Sequence, residues 1–123
     1  MGKGKKIIVS FMLGSLLLGN VAHGMATHAA ISIVPSQHTV KSDSVGVGKE
    51  AKYWAYNTPS SSRNMTMHAY ACWIGWPYSR EKSIDIVPTG VFEYREPQSK
   101  DSAFYIALTG YNKCYGSGNV TVQ

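Results

Sequence analysis

The 123-residue sequence has none of the short signatures that announce an enzyme or a metal centre. It contains no H-E-x-x-H, no G-x-S-x-G, no phosphate-cradling G-x-x-x-x-G-K and no pair of cysteine ligand dyads, which sets aside zinc peptidases, elbow-type serine hydrolases, P-loop enzymes and zinc ribbons. Acidic residues number only seven. The sole cluster from which a two-carboxylate hydrolase could be drawn is Glu81, Asp85, Glu93 and Glu96, and strand alternation places Asp85 and Glu93 on solvent faces of neighbouring strands. No catalytic residues, cofactor or metal are expected, and the chain reads as a non-enzyme. Cysteine is nearly absent too, with only Cys72 and Cys114 and no C-x-x-C.

What is present begins with export. Lys3, Lys5 and Lys6 precede an apolar run from Ile7 to about Val21 and then small residues, A-H-G-M-A-T-H-A-A, the layout of a secretory signal peptide. Cleavage can follow Gly24, Ala26 or Ala29, with Ala29 favoured, so residues 1–29 are read as the signal and 30–123 as one secreted domain. The apolar run is shorter than the roughly 20 residues a membrane-crossing helix needs and is diluted by Ser10, Gly14, Ser15, Gly19 and Asn20; no transmembrane span is expected after signal removal. The lysine run before a short apolar core has a bacterial character. Removing the signal takes three lysines, so the mature charge is +2, and the case for nucleic acid from net charge dissolves.

In an oxidising compartment two cysteines default to one disulfide. A Cys72–Cys114 bridge would close a 43-residue loop and, on the chain-entropy model, stabilise by roughly 4 kcal/mol.

The mature chain keeps no helical period for ten residues. Alternation instead predicts strands at Ala30–Val34, Glu50–Tyr56, Asn64–Ile74, Ser83–Val87, Val91–Arg95, Ala103–Thr109 and Asn119–Val122, with a possible short one at His38–Lys41. N-T-P-S-S-S-R-N, G-W-P-Y-S and E-P-Q-S-K-D-S read as turns or loops. Ser83–Val87 and Val91–Arg95 are close enough to pair as a hairpin with Thr89–Gly90 near its tip. Short strands separated by turn clusters predict an all-β fold, a small antiparallel β-sandwich or barrel. In Asn64–Ile74, the residues Met65, Met67, Ala69, Ala71 and Trp73 share one face and Thr66, His68, Tyr70 and Cys72 the other.

The positive signal is aromatic excess: 13 of 94 residues after position 29, more than so small a domain can bury. Tyr56, Tyr70, Tyr78, Tyr105, Tyr111 and Tyr115 fall on non-core faces or in loops, and rigid amphipathic tyrosines enrich recognition surfaces. Trp76, between Gly75 and Pro77, is a candidate displayed anchor or a cover for the disulfide. The binding candidates are therefore Trp76, Tyr78, Tyr70, His68, Tyr111 and Tyr115, with Arg80, Lys82 and Lys113 as a basic rim if the bridge forms. Such a patch suits a cell-envelope component, a polysaccharide or a protein target. In size, export and aromatic character the chain resembles the small secreted bacteriocins, which implies an antimicrobial or toxin-like protein. The alternatives are a cell-surface module for carbohydrate or protein, or an inhibitor of a secreted hydrolase that inserts W-I-G-W-P-Y.

Overall fold

A computed structural model describes residues 25–123; the lysine run and most of the segment read as a signal peptide lie outside the described residues. Seven strands follow one another: β1 His28–Ile33, β2 Thr39–Lys41, β3 Val45–Asn57, β4 Met65–Trp73, β5 Ser79–Ile86, β6 Val91–Thr109 and β7 Gly116–Val122. No helix occurs among the described residues, and every strand pairing is antiparallel, in the order β1-β7-β3-β6-β4-β5 with β2 on β6. The all-β antiparallel expectation holds.

Two long strands make this path a sandwich. Residues 91–97 of β6 pair with 50–56 of β3, whereas residues 102–109 pair with β4 and, at 102–104, also with the first residues of β3, 45–48. The first half thus belongs to a layer with β1, β7 and β3, and the second half to a layer with β2, β4 and β5. The layers meet through side chains: a Cβ on Gly118 of β7 would lie 3.1 Å from Ile106 Cδ1 of β6, and one on Gly116 would lie 2.5 Å from Met65 Sδ of β4. Between them Tyr53, Ala55, Met65, Met67, Phe104, Ile106, Leu108 and Val120 are fully buried. Phe104, Ile106 and Leu108, at alternate positions of β6, are core, as is the β4 face of Met65, Met67, Ala69 and Ala71.

Three expectations are corrected. The polar stretch E-P-Q-S-K-D-S is not a loop but the middle of the 19-residue β6; near Pro97 this strand has β3 on one side only, so the missing proline N–H removes no ladder bond. The hairpin between residues 83–87 and 91–95 does not form. The turn Val87–Gly90 closes through a Gly90 N to Val87 O bond of 2.8 Å, but β5 pairs with β4 and β6 departs into the other layer.

The third correction is the disulfide. Both cysteines are free. The Cys114 thiol donates to the backbone oxygen of Arg63 at 3.3 Å, just before β4 begins, while Cys72 lies near the far end of β4, opposite Ala103. Eight strand residues separate Asn64 from Cys72, about 26 Å at the extended rise. A bridge tolerates a Cα separation of only about 7 Å.

Candidate functional site

The outward face of β4 carries Thr66, His68, Tyr70 and Cys72, and register fixes what stands beside them. On β6 they face Thr109, Ala107, Tyr105 and Ala103. On β5, Asp85 opposes Thr66, Ser83 opposes His68 and Arg80 opposes Tyr70. The step from Ser83 to Arg80 is odd, and a bulge between Ala69 and Tyr70 makes it possible. Without that extra residue Glu81 would oppose Tyr70, so the bulge places a cation on this face instead of an acid.

At one end of the face the rings of Tyr70 and Tyr105 stack at 4.5 Å and 5°. Tyr78 meets Tyr105 edge-on at 4.8 Å, and the Lys41 ammonium lies 5.7 Å from the Tyr105 ring. Tyr70 is also held from within: the buried Tyr53 hydroxyl crosses the core and donates to the Tyr70 carbonyl at 2.6 Å. Tyr78 is 36% exposed as a residue, yet its hydroxyl turns inward, donates to Ser44 Oγ at 2.6 Å and sits beside the Cys72 thiol. Burial pushes the Tyr78 hydroxyl well above its ordinary range, lifts Tyr105 to about 12 and pushes the Cys72 thiol up to about 11. The thiol is therefore protonated at neutral pH, which suits neither nucleophile nor redox centre.

The middle of the face is a chain of hydrogen bonds. His68 Nδ1 is 2.7 Å from Ser83 Oγ, His68 Nε2 is 3.1 Å from Thr109 Oγ1, and that oxygen is 3.1 Å from Thr39 Oγ1. Burial, reinforced by the Arg80 charge and opposed by Asp85, holds His68 below the usual imidazole range. A neutral ring with one donor and one acceptor nitrogen satisfies both hydroxyls. Asp85 does not reach the ring through a hydrogen bond; it accepts from Thr66 Oγ1 at 2.6 Å. The third partner that would orient a histidine base is thus a threonine rather than a carboxylate.

At the other end stands Tyr111. Thr66 spends its proton on Asp85, so the Tyr111 hydroxyl donates to Thr66 Oγ1 at 2.9 Å. The Arg63 guanidinium lies 3.8 Å from the Tyr111 ring, and His38 meets it edge-on at 5.4 Å. Tyr111 and Asn112 both have positive φ, 56° and 61°, in a turn closed by Lys113 N to Gly110 O at 2.9 Å. A tyrosine held in the left-handed region costs on the order of 1 kcal/mol. Its contacts with Thr66, Arg63 and His38 hold it there.

Of the residues expected to bind, His68, Tyr70, Tyr78 and Tyr111 come to this one face. Trp76 does not. It is 63% exposed on a turn closed by Trp76 N to Trp73 O, in which Gly75 adopts φ 90°, and it packs edge-on against Trp73 at 5.9 Å. There is no disulfide for it to cover. Trp73, on the face of β4 whose other members Met65, Met67, Ala69 and Ala71 are core, is only partly buried, with the Lys100 ammonium 4.7 Å from its ring. Tyr115 is 45% exposed at the loop before β7, where its backbone bonds Ser61. The basic rim changes as well: Arg80 is on the face, but Lys113 lies at the Arg63 end because no bridge draws it toward Cys72. Thr39, Lys41 and Arg63 were missed, since Thr39 and Lys41 join the face through the pairing of β2 with β6 and Arg63 through its contact with the Tyr111 ring, neither of which alternation along one strand reveals. Tyr105 was visible through its parity in β6.

No family model and no curated protein matches the chain. A solved structure of PirA matches it over 85% of this chain and 100% of that one, at 12% identity and a TM-score of 0.50. The two share a fold. A Yersinia pseudotuberculosis-derived mitogen matches over 78% of this chain and 84% of that one, at 14% identity and TM-score 0.44. TmCBM61, solved with β-1,4-galactotriose, matches over 80% and 68%, at 8% identity and TM-score 0.41.

Proposed function

We propose that this protein is an exported binding module that holds a polysaccharide of a cell envelope on the outer face of β4 and β6, without chemical turnover. The observation that carries this reading is the near-parallel Tyr70–Tyr105 stack of half-buried rings, fixed from the core by Tyr53 and flanked by a prearranged row in which Thr39 and Ser83 are exposed, His68 is half-buried and Thr109 is buried beneath them. Aromatic surface beside neutral donors and acceptors complements the apolar faces and hydroxyl edges of sugar rings. Lys41, Arg80 and Arg63 add positive charge suited to the anionic polymers of an envelope. A bacteriocin-like antimicrobial action at a competitor's envelope would begin with the same binding step. Export follows from the leader, and a cut after Gly24 rather than Ala29 would leave β1 whole, because His28 and Ala29 pair with Thr121 and Val120.

The test is cosedimentation with insoluble bacterial peptidoglycan carrying its wall polymers. The wild type is expected in the pellet. Tyr105→Ala should weaken retention roughly tenfold, as loss of a central aromatic anchor does. Lys41→Ala, at an exposed position, should cost only about 0.5–1 kcal/mol. A wild type left in the supernatant, or a Tyr105→Ala variant that sediments equally well while folded, contradicts the proposal.

A further inference from the structure

The opposite outer face of the sandwich carries a second aromatic site. In β3 the residues Ala51, Tyr53, Ala55 and Asn57 point into the core, so Lys52, Trp54 and Tyr56 point out. Register extends each across the layer. Trp54 opposes Asn119 of β7 and Glu93 of β6, and Asn119 opposes Ala30 of β1. Tyr56 opposes Ser117 and Val91, and Ser117 opposes Ser32. Two rows result, in which large rings on β3 stand next to small side chains on β7 and β1.

That size step makes a depression. Trp54 forms its wall, and Ala30, Ser32, Ser117 and Asn119 are among the residues lining the rest, with a volume of about 310 Å³. This lies at the small end of ligand sites, which run from roughly 300 Å³. The Trp54 and Tyr56 rings are 6.3 Å apart and tilted by 31°, a nearly continuous aromatic strip. The polar groups lining the depression are two hydroxyls and an amide, all uncharged. The nearest charges, Lys52 and Glu93, pair with each other at 3.1 Å. The chemistry differs from the β4 face, where Lys41, Arg80 and Arg63 stand close to the rings.

We propose that this depression is a second saccharide site, for a neutral pyranose packed against the Trp54 indole with its hydroxyls bonded by Ser32, Ser117 and Asn119. An indole offers a flat apolar surface to one face of the ring, and serine and asparagine supply both donors and acceptors to its edge. Anionic sugars gain nothing there, because no unpaired cation lines the depression. The site stands on its own geometry and does not depend on ligand binding at the β4 face. With both sites filled, the two outer faces of one molecule would bridge two glycan chains.

The proposal is tested on the full mature chain by following its indole N–H and backbone amide resonances during titration with cellotetraose, chitotetraose and a mannotetraose. At least one of these neutral probes should shift the Trp54 indole together with the amides of Ser117 and Asn119. Trp54→Ala should weaken that binding roughly tenfold, as removal of a stacking anchor does. Ser117→Lys, which fills the depression from an outward position and removes no core atoms, should abolish it. Tyr105→Ala should leave these shifts intact, which separates this site from the β4 face. The proposal is overturned if no probe moves the Trp54 group at millimolar concentration, or if Ser117→Lys binds as well as the wild type.

Discussion

Asn57→Asp is expected to destabilise the protein severely at neutral pH, although it exchanges a single side-chain nitrogen for oxygen. Asn57 is fully buried at the end of β3. Its amide donates to Ile86 O at 2.8 Å and to Arg63 O at 3.1 Å, while its backbone donates to Gly90 O and accepts from Thr89 N. One residue thereby joins the end of β5, the loop before β4 and the β5–β6 turn. An aspartate would bring a buried negative charge against two carbonyl oxygens with no proton to offer either. Uncompensated buried charge costs about 3–5 kcal/mol, a large share of the 5–15 kcal/mol typical of a domain. The melting temperature should fall by about 15 °C or more. The direction with pH follows from the same argument. The buried carboxyl has its pKa raised in the folded state, so the penalty is full at neutral pH and lifts as pH falls toward the unfolded value near 4. A thermal melt of Asn57→Asp that matches the wild type at pH 7 would show that this amide is not the tie described.

Phe104→Ala is expected to be the most damaging of the core truncations. Phe104 is fully buried in the second half of β6, opposite Ala71 of β4 and Val45 of β3. Its neighbours on the β4 core face include Ala69 and Ala71, whose side chains have no length with which to close a gap. Poor collapse puts the cost near the upper part of the 3–5 kcal/mol range for such changes. Phe92→Ala, only partly buried at the margin of the same core, should cost clearly less. Urea unfolding of the two variants measures the difference, and equal midpoints would contradict the packing described.

Alternation along a single strand is legible in a sequence, whereas the pairing of strands is not. The two faces of β4 were legible because strict alternation over nine residues needs no knowledge of neighbours. The parity of Phe104, Ile106 and Leu108 was legible for the same reason. Everything that required register was not. The bulge that sets Arg80 beside Tyr70, and the pairing that brings Thr39 and Lys41 to the face, exist only once strands are paired. The polar stretch through Pro97 resembled a loop because a strand with one neighbour exposes polar side chains and tolerates proline. The disulfide rested on compartment and count, which say nothing about the length of β4 between the two thiols. Trp54 was legible only as a residue of the strand predicted at Glu50–Tyr56, since its significance lies in the small residues that β7 and β1 place beside it.

Ligand held on the outer face of β4 and β6, as proposed, would perturb the backbone there. The most direct measurement is a backbone amide chemical-shift map of the isotope-labelled mature protein during titration with soluble fragments of bacterial peptidoglycan carrying wall polymer. Shifts are expected to concentrate at Thr66, His68, Tyr70, Tyr105, Thr109 and Lys41. An unperturbed β4–β6 face, whether the fragments bind nowhere or only elsewhere on the molecule, would contradict it.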